Sequence, residues 1–245
     1  MHKTINKLAA ASLFSCALVL SASTAFADMI ALDKATQGGG NKGANYRPVD
    51  EFGVEASFYI TARTAIDHTQ PFFADAAGSV GTIIIEDGKG DKGAGVQDAA
   101  GKGSKGISGA SGDKDEELIF WYDQAVTLDS LSIMLRDIDF GSGASHKDDP
   151  VIFLSVAGTG AFGVTIQEAE ISNAFTSTGN KRGTVDFGSF TSLAGDTAIT
   201  AFKIRATNDH FSVGAASGGS AAVPEPGALS LLAMGGVAMF KRKFR

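Results

Sequence analysis

Seven acids stand out by their spacing. Asp113, Asp115 and Glu117 alternate just ahead of an apolar run, so in an extended chain all three point to one side. Asp137 and Asp139 end another apolar alternation on one face, and Asp148 and Asp149 follow across the Gly141 to Lys147 loop. Ca²⁺ takes about six to eight oxygens, gathered as carboxylates from loops. These seven residues are therefore the candidate calcium ligands. Solvated turn acids and strand-end caps are the commoner use of such residues, and neither cluster has the spacing of an EF-hand loop.

Other chemistry finds less support. Two acids facing across a cleft would suit glycoside hydrolysis, but acid pairs recur in any acidic chain. Gly88-x-Gly90-x-x-Gly93 and Gly101-x-Gly103-x-x-Gly106 match the dinucleotide-loop spacing. That mechanism needs a helix N-terminus under the pyrophosphate, and both copies run into more glycine instead. No G-x-S-x-G elbow is present. His68, His146 and His210 are isolated, without zinc-ligand spacing. Trp121 and Tyr122 would suit a sugar-stacking platform, although packing in opposite faces of a core strand is the more ordinary use of adjacent aromatics. The expectation is a chain with no catalytic residue and no cofactor-binding loop, calcium being the one ion it allows.

The elements that would position these residues are short strands. Val54, Ala56, Phe58, Ile60 and Ala62 alternate with Glu55, Ser57, Tyr59, Thr61 and Arg63, the period of a half-buried strand. Ile83-Ile84-Ile85 sits in a second strand over Val80 to Glu86. Gly88 to Gly112 is the largest irregular stretch, within which Val96 and Ile107 each mark a short strand. Leu118, Phe120 and Tyr122 share a face; Leu131, Ile133 and Leu135 alternate with polar neighbours; Val151 to Val156 is apolar on both faces and should be central. Segments around Phe162, Val185, Phe202 and Phe211 complete about nine or ten strands. Many short alternating strands, without amphipathic helical stretches, predict an all-β antiparallel sandwich, with a jelly roll as its topology. Seventeen phenylalanines suit such a core.

Both ends depart from this pattern. Residues 1–27 have the layout of a cleaved signal peptide: Lys3 and Lys7, an apolar run from Leu8 to Leu20, then Ala25-Phe26-Ala27 as the cleavage site. The single cysteine, Cys16, lies in that run, so the mature chain has no disulfide or thiol chemistry. At the other end, Val223, Pro224, Glu225 and Pro226 hold the chain extended, because the prolines fix φ and lack donors. Gly227 to Phe240 carries no charge, and Lys241, Arg242, Lys243 and Arg245 form a basic stop. Fourteen apolar residues are short for a membrane helix, which needs about 20, so the anchor suits a temporary hold.

This three-part tail resembles the PEP-CTERM sorting signal of exopolysaccharide-producing Gram-negative bacteria. The resemblance rests on Pro224-Glu225-Pro226, the apolar run with Gly235-Gly236, and the Lys241-Arg242-Lys243 cluster. It implies recognition by an exosortase, a transpeptidase-like membrane enzyme, and delivery to the cell surface or matrix. The implied partners are signal peptidase, exosortase, the inner membrane before processing, and exopolysaccharide afterwards.

The expected organisation is then signal peptide 1–27, an N-terminal lead-in 28–50 that is flexible over Gln37 to Asn45, a β-sandwich 51–214, a linker 215–222 and the sorting segment 223–245. Processing removes two basic residues with the signal, and four basic residues and one acid with the tail. It leaves 15 basic against 26 acidic residues, a balance of −11. Such a surface repels phosphates and disfavours nucleic acid as a partner. The expected function is a non-enzymatic structural or adhesive role at the cell surface or in the matrix. A carbohydrate-binding module, with or without calcium, comes second, and a secreted polysaccharide-active enzyme third.

Overall fold

The computed structural model describes residues 29–66, 79–87, 92–97, 106–108, 115–140, 150–179, 181–206 and 210–219. Sixteen strands lie among them. In chain order they are β1 (Met29–Ala31), β2 (Gly40–Gly43), β3 (Asn45–Tyr46), β4 (Phe58–Ile66), β5 (Ser79–Val80), β6 (Thr82–Asp87), β7 (Lys92–Gln97) and β8 (Ile107–Ser108). There follow β9 (Asp115–Thr127), β10 (Ser132–Arg136), β11 (Pro150–Val156), β12 (Phe162–Ile166), β13 (Phe175–Ser177), β14 (Arg182–Asp186), β15 (Ala198–Ala206) and β16 (His210–Ser217). Two short helices are α1 (Lys34–Gln37) and α2 (Glu168–Ala174).

Every strand pairing is antiparallel. Nine strands make the first sheet, in the order β13-β14-β10-β16-β7-β6-β2, with β1 and β8 also on β16. Seven make the second, in the order β12-β11-β15-β9-β4-β3, with β5 also on β4. Alternate residues of a strand face opposite sides, and one set from each sheet meets in a common core. Phe58 and Ile60 of β4, Phe120 of β9 and Phe202 of β15 meet Ile83 and Ile85 of β6, Leu135 of β10 and Val213 of β16. Phe120 and Phe202 stack at 4.5 Å, and Phe187 meets Phe202 edge-on at 5.0 Å. Each such ring, fully buried, contributes about 1.5–3 kcal/mol relative to leaving it in water.

The architecture is the expected all-β one, with several local differences. The strand expected from Val54 begins only at Phe58. Asp50 Oδ1 accepts from the backbone N–H of Phe52 and Val54, closing a turn that leaves Val54 exposed. The strand expected over Val80 to Glu86 is split at Gly81, where the chain leaves the second sheet (β5) and enters the first (β6). A Cβ at Gly81 would lie 2.9 Å from Val96 and 3.0 Å from Thr64, so only glycine fits that crossing. Within the stretch expected to be irregular, β7 and β8 carry Val96 and Ile107 into the core.

The lead-in is not merely flexible. It folds into β1, α1, β2 and β3, with Gly38, Gly40 and Gly43 at positive φ turning the chain between them. Residues 215–217, expected to start the linker, are the buried end of β16 paired with β1. Of the expected Val151 to Val156 run, Val151 to Ser155 is buried on both faces, between β12 and β15. α2 has no counterpart in the expected pattern. It is only seven residues long and turns Ile171 and Ala174 inward.

Candidate functional site

The core takes the inner positions of the second sheet, so its register fixes what the outer face presents. One row across β4, β9 and β15 is Tyr59, Trp121 and Ala201. The next is Thr61, Ile119 and Lys203, and the next Arg63, Glu117 and Arg205. This face is not uniformly polar. Ile119, Val151, Phe153, Phe162 and Ala201 form a second buried cluster, with Trp121 packed against it.

A hollow of about 700 Å³ opens at the edge of this face. Asn45 and Arg47 reach it from the β3 side, Tyr59, Thr61 and Arg63 from β4, and Trp121 from β9, with Val80 also lining it. The rings of Tyr59 and Trp121 are 6.2 Å apart and 15° from parallel. That separation is an offset stack, which leaves part of each π face uncovered. Tyr59 is 36% exposed. The indole is held in place: its Nε1 donates to Thr61 Oγ1 at 3.0 Å, and its ring meets Phe162 edge-on at 5.7 Å.

Arg47 fixes the other flank. Its guanidinium donates to both carboxylate oxygens of Asp123, at 2.7 and 2.8 Å, and to the Ala56 carbonyl at 2.8 Å. The same group lies 5.9 Å from the centre of the Tyr59 ring. The hydrogen bond from Arg47 holds the Asp123 carboxyl below its ordinary value, and the pairing raises Arg47 in turn. A parallel fork between guanidinium and carboxylate is directional as well as charged, so it sets the angle at which Arg47 meets the ring. Aromatic faces flanked by amide, hydroxyl and guanidinium donors are the chemistry of holding a sugar: the faces take its C–H edges, the donors its hydroxyls.

Three of the acids expected as calcium ligands have described charged neighbours. Glu117 is buried on the outer face of β9, where its Oε2 accepts from Arg205 at 2.9 Å and stands 3.6 Å from Lys203 Nζ. Asp139 is 3.5 Å from Lys181, and Asp137 is 3.6 Å from His210. Among the described residues no three His, Cys, Asp or Glu side chains converge to hold a metal ion. Asp115 begins β9, and Asp113, Asp148 and Asp149 lie outside the described residues. His68 and His146 lie outside them too.

Of the two glycine motifs, Gly93 falls in β7 and Gly106 just before β8, so the described part of each leads into strand, not helix. Trp121 and Tyr122 do face opposite sides, but differently from simple core packing. Tyr122 lies in the core, where burial raises its pKa, while Trp121 lines the groove. Sequence reasoning placed Tyr59, Thr61 and Arg63 on the polar side of their strand without assigning them a site. The available signal was an aromatic at the outward phase of two strands, Tyr59 and Trp121.

No family model, curated protein or solved structure matches the chain. No described helix is long and apolar enough to cross a membrane. The expected anchor from Gly227 to Phe240, the sorting motif Val223 to Pro226, the basic stop and the signal peptide all lie outside the described residues.

Proposed function

We propose that this is an exported, non-enzymatic surface or matrix protein that holds a polysaccharide chain in the Tyr59–Trp121 groove. The observation that carries the reading is the offset aromatic pair beside Thr61, Arg63 and Asn45 in an open hollow. The hollow has several times the volume of one hexose ring, which suits a stretch of chain rather than a single sugar. Its described lining offers stacking faces and hydrogen-bond donors but no carboxylate, whereas glycoside hydrolysis uses a pair of them. Adhesion to exopolysaccharide through this face gives the structural role a molecular form.

The route to the outside is part of the same proposal. Signal peptidase removes residues 1–27, and the C-terminal segment holds the chain in the inner membrane. An exosortase then reads Pro224, Glu225 and Pro226 and releases the folded domain, a jelly-roll type of sandwich, to the surface. The tripartite tail and the A-x-A site support this route.

Titration calorimetry of the exported chain with the exopolysaccharide of its host tests the binding. Tyr59→Ala removes an exposed stacking ring and leaves the core untouched, so affinity should fall about tenfold with the melting temperature nearly unchanged. Unaltered affinity in that variant would remove the groove from the proposal.

A further inference from the structure

Among the described residues the exposed large apolar side chains are Phe52, Val54, Tyr59 and Val80. Tyr59 and Val80 line the groove. Phe52 and Val54 are left over, 83% and 62% exposed, and both stand on one turn. That turn holds them out. Asp50 Oδ1 accepts from the N–H groups of Phe52 and Val54, and the Asp50 N–H donates to the Val54 carbonyl at 2.8 Å. Gly53 takes a φ of 81°, which a side chain would resist. An aromatic ring fixed in water beside other apolar groups marks a contact surface.

The place of the turn points to the partner. Phe52 shares a hollow of about 400 Å³ with Met29, Ile30 and Ala31 of β1. Met29 pairs with Ser217, the last residue of β16. Ser57, where the hairpin bridged at Val49 and Glu55 leads into β4, donates through Oγ to the Gly218 carbonyl at 2.7 Å. The described chain therefore enters at Met29 and leaves at Gly219 from one pole of the sandwich, with Phe52 beside both. In the sequence the two long apolar runs lie just beyond these points, Leu8 to Leu20 before Met29 and Gly227 to Phe240 after Gly219. From Gly219 to Gly227 the tether reaches at most about 29 Å, at ~3.6 Å per residue. β9 passes Gly219 at Val126 and begins at Asp115, about 36 Å away at ~3.3 Å per residue. A tether shorter than the sandwich cannot let an anchored domain stand on its opposite pole.

We propose that this pole docks on the bilayer while the C-terminal segment holds the chain, with Phe52 as the ring that enters the interface. This rests on the anchored stage of the proposed route and names the surface that stage uses. Phenylalanine suits that depth. Asp50, Glu51 and Glu55 flank the ring, so the fit is to zwitterionic headgroups and not to an anionic surface. Cutting the tail ends the contact, because even one acyl chain holds a protein to a bilayer only marginally and a single ring is smaller.

The test reads depth at the turn. Cys16 is the sole cysteine, so in a Cys16→Ser background Phe52→Cys takes a single environment-sensitive fluorophore. The full chain is reconstituted in phosphatidylcholine vesicles carrying a spin-labelled lipid. The label at Phe52→Cys should lose emission, and the same label at Thr178→Cys, exposed beside Arg182 at the far end of β14, should not. With the label moved to Val54→Cys, Phe52→Asp should abolish most of the quenching and Phe52→Leu should keep it. Replacing phosphatidylcholine with phosphatidylglycerol should weaken it. Equal quenching at positions 52 and 178, or quenching that survives Phe52→Asp, overturns the docking and leaves the anchor standing. A chain that does not float with the vesicles overturns both. Quenching that grows with phosphatidylglycerol overturns the choice of headgroup. A label at Phe52→Cys that is shielded in detergent solution in proportion to protein concentration gives the turn to a second copy and overturns the membrane contact. Phe52 lies outside the core, so the melts of its variants should superimpose on the parent's and tie any loss to the contact.

Discussion

Glu117 is the acid whose setting differs most from a solvated or metal-binding one, and its removal has a calculable consequence. The side chain is 1% exposed, and its two cationic neighbours, Lys203 and Arg205, are nearly as deeply buried. Lys203 Nζ lies 4.9 Å from the Phe162 ring centre and 5.1 Å from that of Phe153, and the Arg205 guanidinium 5.3 Å from Phe153. Glu117→Gln keeps the shape and one acceptor oxygen but leaves two buried cations facing a neutral group. Breaking a buried pair in this way costs about 3–5 kcal/mol. For a domain of this size that corresponds to a melting decrease of roughly 6–20 °C.

The Arg47–Asp123 pair calibrates the effect, because its side chains are 31% and 46% exposed and such pairs contribute at most about 1 kcal/mol. Arg47→Ala should therefore lower the melting temperature by only a few degrees. The assay is a thermal melt of the exported chain, run in EDTA and again in millimolar Ca²⁺. A Glu117→Gln variant within 2–3 °C of the parent would refute the buried-pair argument. A loss that appears only in Ca²⁺ would return Glu117 to the metal. Replacing Glu117, Lys203 and Arg205 together with apolar residues of similar length should recover much of the loss, since the desolvation cost goes with the charges.

Further outcomes are expected besides the Tyr59 titration given above. Carbon-detected NMR should place the Asp123 carboxyl midpoint below the ordinary carboxylate range, returning to it in Arg47→Ala. Because that folded-state value is depressed, the pair's stabilisation is present above the ordinary carboxylate range and is lost as pH falls through the depressed midpoint. Intact mass spectrometry of surface material should show a chain that begins at Asp28 and lacks the basic end Lys241 to Arg245. Glu225→Ala should leave the domain's melt unchanged and keep the chain in the membrane, and normal release of that variant would show that Glu225 is not read.

Much of the fold was legible because the sandwich is written in period two. Phe58-Ile60-Ala62, Leu118-Phe120-Tyr122 and Ile133-Leu135 each alternate cleanly, and each lines the core. What escaped was set by contacts too distant for a local pattern. The split at Gly81 depends on Val96 and Thr64 crowding the space where a side chain would go. The glycine-rich lead-in looks flexible until β6 supplies a partner for β2. Glu117 looked like one of three outward acids, since alternation gives its direction but not the arrival of Arg205 and Lys203 from a strand 88 residues away. Trp121 and Tyr59 each stood on the face opposite the main apolar alternation of their strand, but their meeting depends on a register between strands that neither segment encodes alone.

The place of the groove follows from the same long-range constraints. The outer edge of β4 is paired by two fragments instead of one full strand: Asn45–Tyr46 opposite Thr61 and Ile60, and Ser79–Val80 opposite Thr64 and Arg63. β3 cannot continue far, because Pro48 lacks a donor for the ladder. β5 cannot continue either, because Gly81 turns the chain to the other sheet and donates its N–H to Ala62 between the two fragments. The sheet edge is therefore notched, with β4 at its floor. Tyr59, Thr61 and Arg63 then point outward along that floor with low walls beside them, and Trp121 from β9 makes the inner wall. On the proposed glycan-binding reading, the hollow along this edge takes a stretch of chain. Shortening the notch should thus matter more for long ligands than for short ones. This follows from topology, and it is why a hollow forms on a molecule whose sequence shows only alternating strands.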